Sequence, residues 1–328
     1  MVEFVGSESG IEKTLVPKEG YTLHALPLAG LAGNPIAQAR AGLLSLKAIF
    51  RCTRIIQRLR PRAVLGVGGY ASAPAVIAAS ILGVPTFLHE QNSVPGRVNR
   101  LASRFTTETL ATFPDATRRL GNAVWVGMPT RTELFGASQD EALRDLALEP
   151  PVVLIVGGSG GALKINLSAA EAFGAATAYT VVQVSGHRDY SRLSTENPRH
   201  RILEYVDDLW RYLAAADVVV SRAGAGSLFD IAAAAKAAIL IPYPYATGDH
   251  QLQNARYFTS QGAAELMLDS AVGPTALRSR VEVLLDDDLR REELAQRMGV
   301  LATPDASGEV ARRLFGATEK EWRACTYT

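Results

Sequence analysis

Six consecutive small residues in the second half of the chain have the composition of a phosphate-binding turn. Residues 157–162 read Gly-Gly-Ser-Gly-Gly-Ala and follow an apolar, strand-like run at 152–156. Glycines let a phosphate approach the backbone N–H groups closely, and the positive end of the following helix dipole points to the same place. The hydroxyl of Ser159 adds a further donor. The segment therefore predicts a phosphate site, against the simpler alternative of a tight strand-to-helix turn.

A dinucleotide-binding fingerprint is the nearest rival for these residues, and its spacing does not fit. Counted from Gly158 and Gly160, the third glycine of that motif would fall at Leu163. The next strand-like run ends in Val-Ser-Gly at 184–186, without the acidic residue that binds a ribose in that motif. Hydride-transfer chemistry is thereby disfavoured.

A second glycine-rich segment follows the strand-like run 218–221. Residues 222–230 read Arg-Ala-Gly-Ala-Gly-Ser-Leu-Phe-Asp, so that Ser227 could cap a helix and Asp230 would lie about one turn further on. A carboxylate at that place can accept hydrogen bonds from both hydroxyls of a ribose. The alternative is that Asp230 only stabilises the helix N-terminus electrostatically.

A third polar cluster follows the strand-like run 238–241. His250, Gln251 and Asn254 lie at the carboxyl end of that strand, after a loop rich in tyrosine and proline. Side chains of this kind at a strand end suit the recognition of sugar hydroxyls. The three segments together indicate a site for a nucleotide sugar.

The first half of the chain carries a different cluster, rich in titratable groups. His89, Glu90 and Asn92 follow the strand-like run 86–88, and a Gly-Val-Gly-Gly-Tyr segment at 66–70 ends the preceding strand. Crowded hydrogen-bonding groups at a strand exit are where acid–base chemistry is expected. The alternative is that His89 is a core histidine and that Glu90 pairs with a nearby arginine.

Short β-branched runs alternate with longer helical patterns along the whole chain, which predicts parallel α/β architecture. A length of 328 residues favours two domains, and residues 127–151, which contain proline and glycine, are the expected passage between them. Two such lobes would place their ligands in a cleft at the carboxyl ends of the strands.

Composition limits the remaining function classes. The formal charge of +1 is uninformative as a total. Only two cysteines are present, Cys52 and Cys325, so no disulfide framework and no zinc pattern is readable. We expect no nucleic-acid partner, no metal and no cofactor. A reducing cytoplasm is the expected compartment. The sequence shows neither a signal peptide nor an apolar run of about 18 residues, so any membrane contact would be peripheral.

One predicted helix, over residues 37–59, combines apolar and basic side chains. Leu43, Leu46, Ile49 and Phe50 form a stripe, and basic residues accompany it in a window without acids between Glu19 and Glu90; they are Arg40, Lys47, Arg51, Arg54, Arg58, Arg60 and Arg62. Most stripes of this kind face a protein core. A basic amphipathic helix equally suits an anionic membrane surface.

The order of these motifs resembles the MurG family, the bacterial transferases that add N-acetylglucosamine to the undecaprenyl-linked muramoyl-pentapeptide precursor of peptidoglycan. The matching segments run in order across almost the whole chain: residues 68–70, 89–92, 95–96, 126–131, 157–162, 207–208, 222–230, 250–251 and 254. The resemblance implies a GT-B fold, an α/β architecture of two Rossmann-like lobes whose parallel sheets face a cleft.

The resemblance also implies that the two lobes bind different substrates. Residues 1–130 would form the acceptor and membrane-facing lobe, residues 131–304 would form the lobe that binds the UDP-sugar, and residues 305–328 would pack back on the first lobe. The donor contacts implied are Ser159 for the diphosphate, Val206, Ala225, Gly226, Ser227, Leu228 and Phe229 for the uracil and its surroundings, Asp230 for the ribose, Gln251 for the sugar, and Arg131 with Asn92 to complete the site.

Three features depart from the family pattern. The family opens with a strand, a glycine-rich turn that ends in histidine, and a helix, and this sequence starts after all of them. Met128 stands where asparagine is usual, and Asp230 stands where glutamate is common. Because the loop histidine is a leading candidate for the general base, His89 or Glu90 becomes the candidate here.

The resulting expectation is inverting transfer of N-acetylglucosamine from UDP-N-acetylglucosamine to the C4 hydroxyl of the lipid-linked muramoyl-pentapeptide, at the cytoplasmic face of the bacterial cell membrane. The partners implied are both substrates, an anionic membrane surface and cell-wall or division proteins. Two alternatives stay open: a catalytically impaired UDP-sugar-binding protein of the same fold, and an enzyme resembling UDP-N-acetylglucosamine 2-epimerase.

Overall fold

The computed structural model describes residues 1–28, 35–158 and 160–325. The chain divides into two compact units, the first made of Met1–Val126 and Gly308–Thr328 and the second of Gly127–Ser307. Every strand pair within them is parallel. The predicted class, an α/β protein with two units built on parallel sheets, is confirmed.

The first unit contains a two-stranded sheet and a four-stranded sheet, ordered β1-β2 and β3-β4-β5-β6. The strands are β1 (Glu3–Ser7), β2 (Thr22–Leu26), β3 (Val64–Gly66), β4 (Thr86–Glu90), β5 (Glu108–Ala111) and β6 (Ala123–Trp125). The helices between them are α1 (Glu12–Lys18), α2 (Pro35–Leu59), α3 (Gly69–Ile81), α4 (Arg97–Ala102) and α5 (Pro114–Thr117).

Small side chains hold the first unit together where α2 and α3 cover the strands. Ala75, Ala78 and Ala79 of α3 pack with buried residues of α2 and with Leu26 of β2, and Val5 of β1 and Val64 of β3 contact the same cluster. Alanines allow two helices to approach closely while they remove apolar surface from water. One helical layer therefore supports both sheets of this unit.

The second unit is built on one six-stranded sheet, ordered β12-β11-β10-β7-β8-β9. The strands are β7 (Val152–Val156), β8 (Thr180–Val184), β9 (His200–Leu203), β10 (Val218–Ser221), β11 (Ala237–Leu240) and β12 (Glu265–Leu266). The helices are α6 (Gln139–Asp145), α7 (Leu163–Ala172), α8 (Leu209–Ala215), α9 (Ala225–Ala233), α10 (His250–Ser260), α11 (Pro274–Asp286) and α12 (Asp288–Val300).

Strand β7 lies at the point where the order of strand addition reverses. The chain adds β8 and β9 on one side of β7 and then β10, β11 and β12 on the other side. Its five residues are all buried, as expected for a strand covered by helices on both faces. The register pairs Val156 with Val184 and with Ser221, so the three strands end at one level. Ligands of open α/β sheets bind at such a switch point.

The last helix, α13 (Ala306–Cys325), belongs mostly to the first unit. Val310 and Leu314 pack against a core cluster that includes Phe87 and Leu110, and Arg313 Nη1 lies 2.9 Å from Glu108 Oε1. Within residues 1–28, 35–158 and 160–325, no helix has the length and apolarity needed to cross a membrane.

Candidate functional site

A pocket of about 200 Å³ opens in the second unit at the carboxyl ends of β7 and β8. Four of the residues predicted to bind the donor lie in its wall: Arg131, Val206, Ser227 and Asp230. The remaining wall residues are Leu134, Val156, Gly158, Val184, Gly186, Tyr205, Asp207, Leu209, Trp210 and Leu213. The pocket therefore joins two of the glycine-rich segments, 157–162 and 222–230, that the sequence singles out.

The turn after β7 has the backbone that its glycines require. Gly158 and Gly161 have φ angles of +86° and +76°, in the left-handed region that favours glycine. A Cβ on Gly161 would lie 2.7 Å from Asp189 Oδ2 and 2.9 Å from the Ser185 carbonyl oxygen, so the backbone packs too closely for any side chain. Ser159, the predicted diphosphate contact, lies outside the described residues.

The turn is also held from the neighbouring strand. Arg188, which follows β8, donates from Nε to the Gly160 carbonyl at 2.6 Å. The Gly161 N–H donates to the Gly158 carbonyl at 2.9 Å, which closes the turn. Helix α7 starts two residues later at Leu163, so the positive end of its dipole faces the turn. This arrangement is able to bind a phosphate.

Asp230 and Arg131 are, with Asp207, the charged residues of the pocket wall. Asp230 lies on α9, one turn and a half after its first residue, and burial raises the pKa of its carboxyl from 3.8 to about 6, while the nearby Arg131 lowers it. Arg131 Nη1 also donates to the Asp207 carbonyl at 3.0 Å. A partly desolvated carboxylate that faces a pocket is able to accept hydrogen bonds from sugar hydroxyls.

The other predicted residues of α9 do not line the pocket. Ala225, Leu228 and Phe229 are 6%, 0% and 1% exposed, and the Phe229 ring packs against Phe258 at 5.5 Å between centroids. Gly226 is half-buried, close to the Met128 side chain. These residues hold α9 in place, and any contact they make with a ligand would have to come from their backbone.

Gln251 lies on the first turn of α10 and does not line this pocket. Its Oε1 accepts a hydrogen bond from the Tyr243 N–H at 2.9 Å, which ties the helix to the loop after β11. Buried Asn254 donates from Nδ2 to the Ala223 carbonyl at 3.3 Å. The predicted sugar-binding segment is thus connected to the glycine-rich segment that begins α9.

In the first unit, the predicted titratable cluster is buried at the end of β4. His89 is 4% exposed and Glu90 is 2% exposed. The Glu90 carboxylate accepts bonds from the Asn92 N–H at 2.9 Å, the Gly96 N–H at 3.2 Å and Asn99 Nδ2 at 2.8 Å. His89 Nε2 lies 3.4 Å from Thr112 Oγ1. Glu90 therefore shapes the loop that carries Asn92.

Sequence reasoning missed several residues of the pocket. Tyr205 and Trp210 flank the Asp207-Asp208 motif, and an aromatic residue beside a polar strand end is a signal that could have been used. Gly186, which follows β8 where a dinucleotide-binding motif would have an acidic residue, has a φ of +80° and lines the pocket with its backbone. Among the described residues, no group of three or more His, Cys, Asp or Glu side chains is arranged to hold a metal ion.

The two units match known domains. Residues 1–111 match the N-terminal domain of glycosyltransferase family 28, and residues 152–309 match its C-terminal domain. The parallel sheets, the glycine turn after β7 and the pocket beside it agree with this match. The fold and site thus define a glycosyltransferase of family 28.

A narrower family follows from individual relatives. The chain is 62% identical, over 319 residues, to the UDP-N-acetylglucosamine–N-acetylmuramyl-(pentapeptide) pyrophosphoryl-undecaprenol N-acetylglucosamine transferase of Rubrobacter xylanophilus, covering 96% of this chain and 95% of the relative. The crystal structure of Acinetobacter baumannii MurG superposes with a TM-score of 0.74 at 27% identity, covering 96% and 91% of the two chains. The chain belongs to the MurG family of these transferases.

A UDP-N-acetylglucosamine 2-epimerase from Neisseria meningitidis shares the fold but little sequence. Its structure superposes with a TM-score of 0.64 at 12% identity, covering 95% of this chain and 90% of that one. Similarity at that level shows the fold alone. It does not favour the epimerase alternative over the transferase.

Proposed function

We propose that this chain transfers N-acetylglucosamine from UDP-N-acetylglucosamine to the C4 hydroxyl of undecaprenyl-pyrophosphoryl-N-acetylmuramoyl-pentapeptide, with inversion at the anomeric carbon. The observation that carries the proposal is the pocket at the carboxyl ends of β7 and β8, which combines a glycine turn, a helix N-terminus and the Asp230 carboxylate. The name of the relative at 62% identity supports the choice of substrates.

The second unit binds the donor in this proposal. The diphosphate lies against the turn 157–161 and the N-terminus of α7, where backbone N–H groups and the helix dipole stabilise negative charge. The ribose hydroxyls bind Asp230, and the uracil lies beside Val206 and the segment 225–229. Gln251, at the start of α10, contacts the sugar, and Arg131 and Asn92 complete the site.

The chemistry is a single displacement. The C4 oxygen of the acceptor bonds to the anomeric carbon while the bond from that carbon to the diphosphate oxygen breaks, and UDP leaves with the electron pair. The acceptor proton passes to a general base. Donors at the turn 157–161 are best placed to stabilise the charge that grows on the leaving diphosphate.

The general base belongs to the first unit in this proposal, with His89 and Glu90 as the candidates. Both are buried, and Glu90 already accepts several N–H bonds, so either one would have to reach the acceptor through a rearranged loop 91–99. Replacing each with glutamine should lower kcat far more than it lowers donor affinity. Unchanged turnover in both variants would discard both candidates.

The first unit also meets the membrane in this proposal, through helix α2. Leu43, Leu46 and Phe50 are 56%, 66% and 59% exposed and lie on one face of the helix, and a contiguous exposed apolar patch is typical of an interaction site. A basic stripe runs beside them at helical spacing, made of Lys47, Arg51, Arg54 and Arg58. Apolar side chains beside cations suit the interface of an anionic bilayer, from which a lipid-linked acceptor would be taken.

Release of UDP tests the function directly. We expect the protein to bind UDP in calorimetry, and to release UDP from UDP-N-acetylglucosamine only when a lipid-linked muramoyl-pentapeptide is present. Equal release without the acceptor would indicate a hydrolase or an epimerase. A folded protein that binds UDP but never turns over would be a binding protein, and one without UDP affinity would refute the donor site.

A further inference from the structure

An ion cluster of the second unit lies between the two segments that we assign to the diphosphate and to the sugar. Its centre is Asp269, whose side chain is 16% exposed. Asp269 Oδ1 lies 2.7 Å from Arg222 Nη1, close but not aligned as a hydrogen bond, and Oδ2 lies 3.6 Å from Lys164 Nζ. Lys164 also donates to the Asp269 carbonyl oxygen. One carboxylate therefore joins two cations from different elements.

The first of these cations leads to the sugar-binding segment. Arg222 directly follows β10, is nearly buried, and donates to the carbonyls of Ile241 and Pro242 at 3.2 and 3.1 Å. Its guanidinium lies 5.5 Å from the centre of the Tyr243 ring. Because the Tyr243 N–H donates to Gln251 Oε1, the arginine fixes the loop that orients Gln251.

The second cation leads to the diphosphate-binding segment. Lys164 is the second residue of α7, the helix that begins just after the turn 157–161. Its bonds to Asp269 fix the N-terminus of α7 relative to the loop after β12. The N–H groups that would bind a phosphate are thereby tied, through Asp269 and Arg222, to the loop that carries the sugar contact.

We propose that Asp269 is a positioning residue that keeps the sugar-binding loop, residues 242–251, in register with the diphosphate-binding helix α7. The inference rests on the proposed donor site. Transfer requires the anomeric carbon and the diphosphate to be held in one geometry, and misplacement by about 1 Å is costly. The carboxylate attracts both cations electrostatically, and this attraction is stronger at a largely buried position than in water.

The substitution Asp269→Asn tests this role, because it keeps the shape and removes the charge that both cations share. UDP lacks the sugar, so it depends on α7 but not on the loop 242–251. We expect the ratio of the Kd for UDP-N-acetylglucosamine to the Kd for UDP, measured by calorimetry, to rise about tenfold in this variant. The variant Asp269→Glu, which keeps the charge, should stay closer to the wild-type ratio.

A matched control lies on the neighbouring strand. Glu265 of β12 is also 16% exposed and pairs with Arg280 of α11 at 3.1 Å, so this ion pair joins β12 to α11 and not α7 to the loop 242–251. Glu265→Gln should therefore leave the ratio of the two dissociation constants unchanged, even if it lowers the melting temperature as much as Asp269→Asn does.

Other outcomes overturn the inference. If Asp269→Asn weakens both ligands by the same factor, or leaves both unchanged, Asp269 has no positioning role. The same holds if Asp269→Glu and Asp269→Asn are equally impaired, or if Asp269→Asn still changes the ratio when Gln251 is alanine. A wild-type protein that binds neither UDP nor UDP-N-acetylglucosamine would instead refute the proposed function.

Discussion

Asp230 is a carboxylate whose surroundings favour its neutral form. Burial raises its pKa to about 6, and the positive charge of Arg131 offsets only part of that effect. In the unfolded chain the pKa returns towards 3.8, the ordinary value of an aspartate. The same side chain is proposed to bind the ribose as an anion. Ribose binding therefore favours the ionised carboxylate, whereas the stability of the ligand-free fold favours the neutral carboxyl.

Donor affinity should accordingly depend on pH. Ionised Asp230 accepts hydrogen bonds from both ribose hydroxyls, whereas the protonated form has one oxygen that acts as a donor instead. The ligand for this test is UDP-N-acetylglucosamine, because its diphosphate is a diester that does not titrate near pH 6, whereas the terminal phosphate of UDP does. We expect the Kd for UDP-N-acetylglucosamine to rise as the pH falls through about 6. Calorimetry between pH 5 and 8 at one ionic strength measures this, and Asp230→Asn should bind UDP-N-acetylglucosamine more weakly with a flat profile in that range. A flat wild-type profile would contradict the assignment.

The stability of the ligand-free protein should change with pH in the opposite direction. Because the folded pKa is raised, the folded state binds more protons than the unfolded state between about pH 4 and pH 6, so stability falls as the pH rises through that window. The rise in the pKa of Asp230 corresponds to a loss of about 3 kcal/mol in the free energy of unfolding above pH 6. At pH 7.5 Asp230→Asn should therefore unfold at higher denaturant concentration than the wild type, and at pH 4 the difference should vanish.

Individual side chains differ in how far sequence alone could place them. Asp230 and Arg131 were predicted from motif position, and the structure brings both to the pocket. The partnership of Arg222 with Asp269 was not predicted, because the two residues belong to different elements and nothing local connects them. Pairings of that kind are set by strand order, which a single sequence does not reveal.

Among the elements, the unit of β7, its turn and α7 is the part that sequence specifies best. A buried apolar strand, small residues and a helical pattern follow each other within one segment, so local signals suffice. Strands β2, β5, β6, β9 and β12 were not predicted. Strand β9 begins with His-Arg and β12 has only two residues, so these two are defined mainly by pairing with a neighbouring strand.

An alanine in place of Gly158, on the turn after β7, should block binding of the donor. Its effect on stability should be limited to the strain of the left-handed backbone conformation. Gly158 has a φ of +86°, and no atom lies within 4 Å of the position its Cβ would take, which opens to the pocket. Gly158→Ala should cost about 1–2 kcal/mol of stability through that backbone conformation, and should lower UDP affinity at least about tenfold, because the methyl occupies phosphate space.

The matched control is Gly136→Ala. Gly136 has a φ of +80°, has equally open space, belongs to the same unit and does not line the pocket. Its melting temperature should fall by a similar amount while UDP affinity stays at the wild-type level. Equal affinity in the two variants would show that the turn does not contact the ligand.

Helix α2 has a buried face, an exposed apolar face and the basic stripe. Ala48, Cys52 and Ile56 face the core, while Leu46 and Phe50 are exposed beside the basic stripe. Changing Leu46 and Phe50 to serine should release most of the protein from vesicles that contain an anionic phospholipid, as measured by co-sedimentation, with little change in melting temperature. Added salt should weaken wild-type binding, since the arginines contribute through screened charge.

The control for α2 lies in the other unit. Leu289 of α12 is 82% exposed, so Leu289→Ser removes an exposed leucine outside the basic stripe of α2. Its vesicle binding should equal that of the wild type. If the double serine variant of α2 also binds as the wild type does, the membrane does not contact this helix.

At the scale of the whole molecule, the two units differ in how the described strands are divided into sheets. The second unit has one continuous sheet of six strands. In the first unit β1 pairs with β2 and β3 pairs with β4, yet no described strand pairs β1 with β3, although Val5 and Val64 contact the same core cluster. One parallel strand inserted between β1 and β3 would give the usual doubly wound order, in which the chain moves outward from a first strand and then returns to its other side.

Hydrogen exchange should reveal these open edges. The Val64 N–H donates to the Pro85 carbonyl towards β4, so the N–H of Leu65 points the other way, towards β1. We expect the Leu65 amide to exchange much faster than the amides of β4 and β10, which have partners on both sides.

If the coding DNA directly upstream encodes a strand, a glycine-rich turn and a helix in frame, adding that segment should slow exchange in β1 and β3 and raise the melting temperature of the first unit. Slow exchange of Leu65 in the 328-residue chain would mean that the edge is already covered, and the extended chain would then gain nothing.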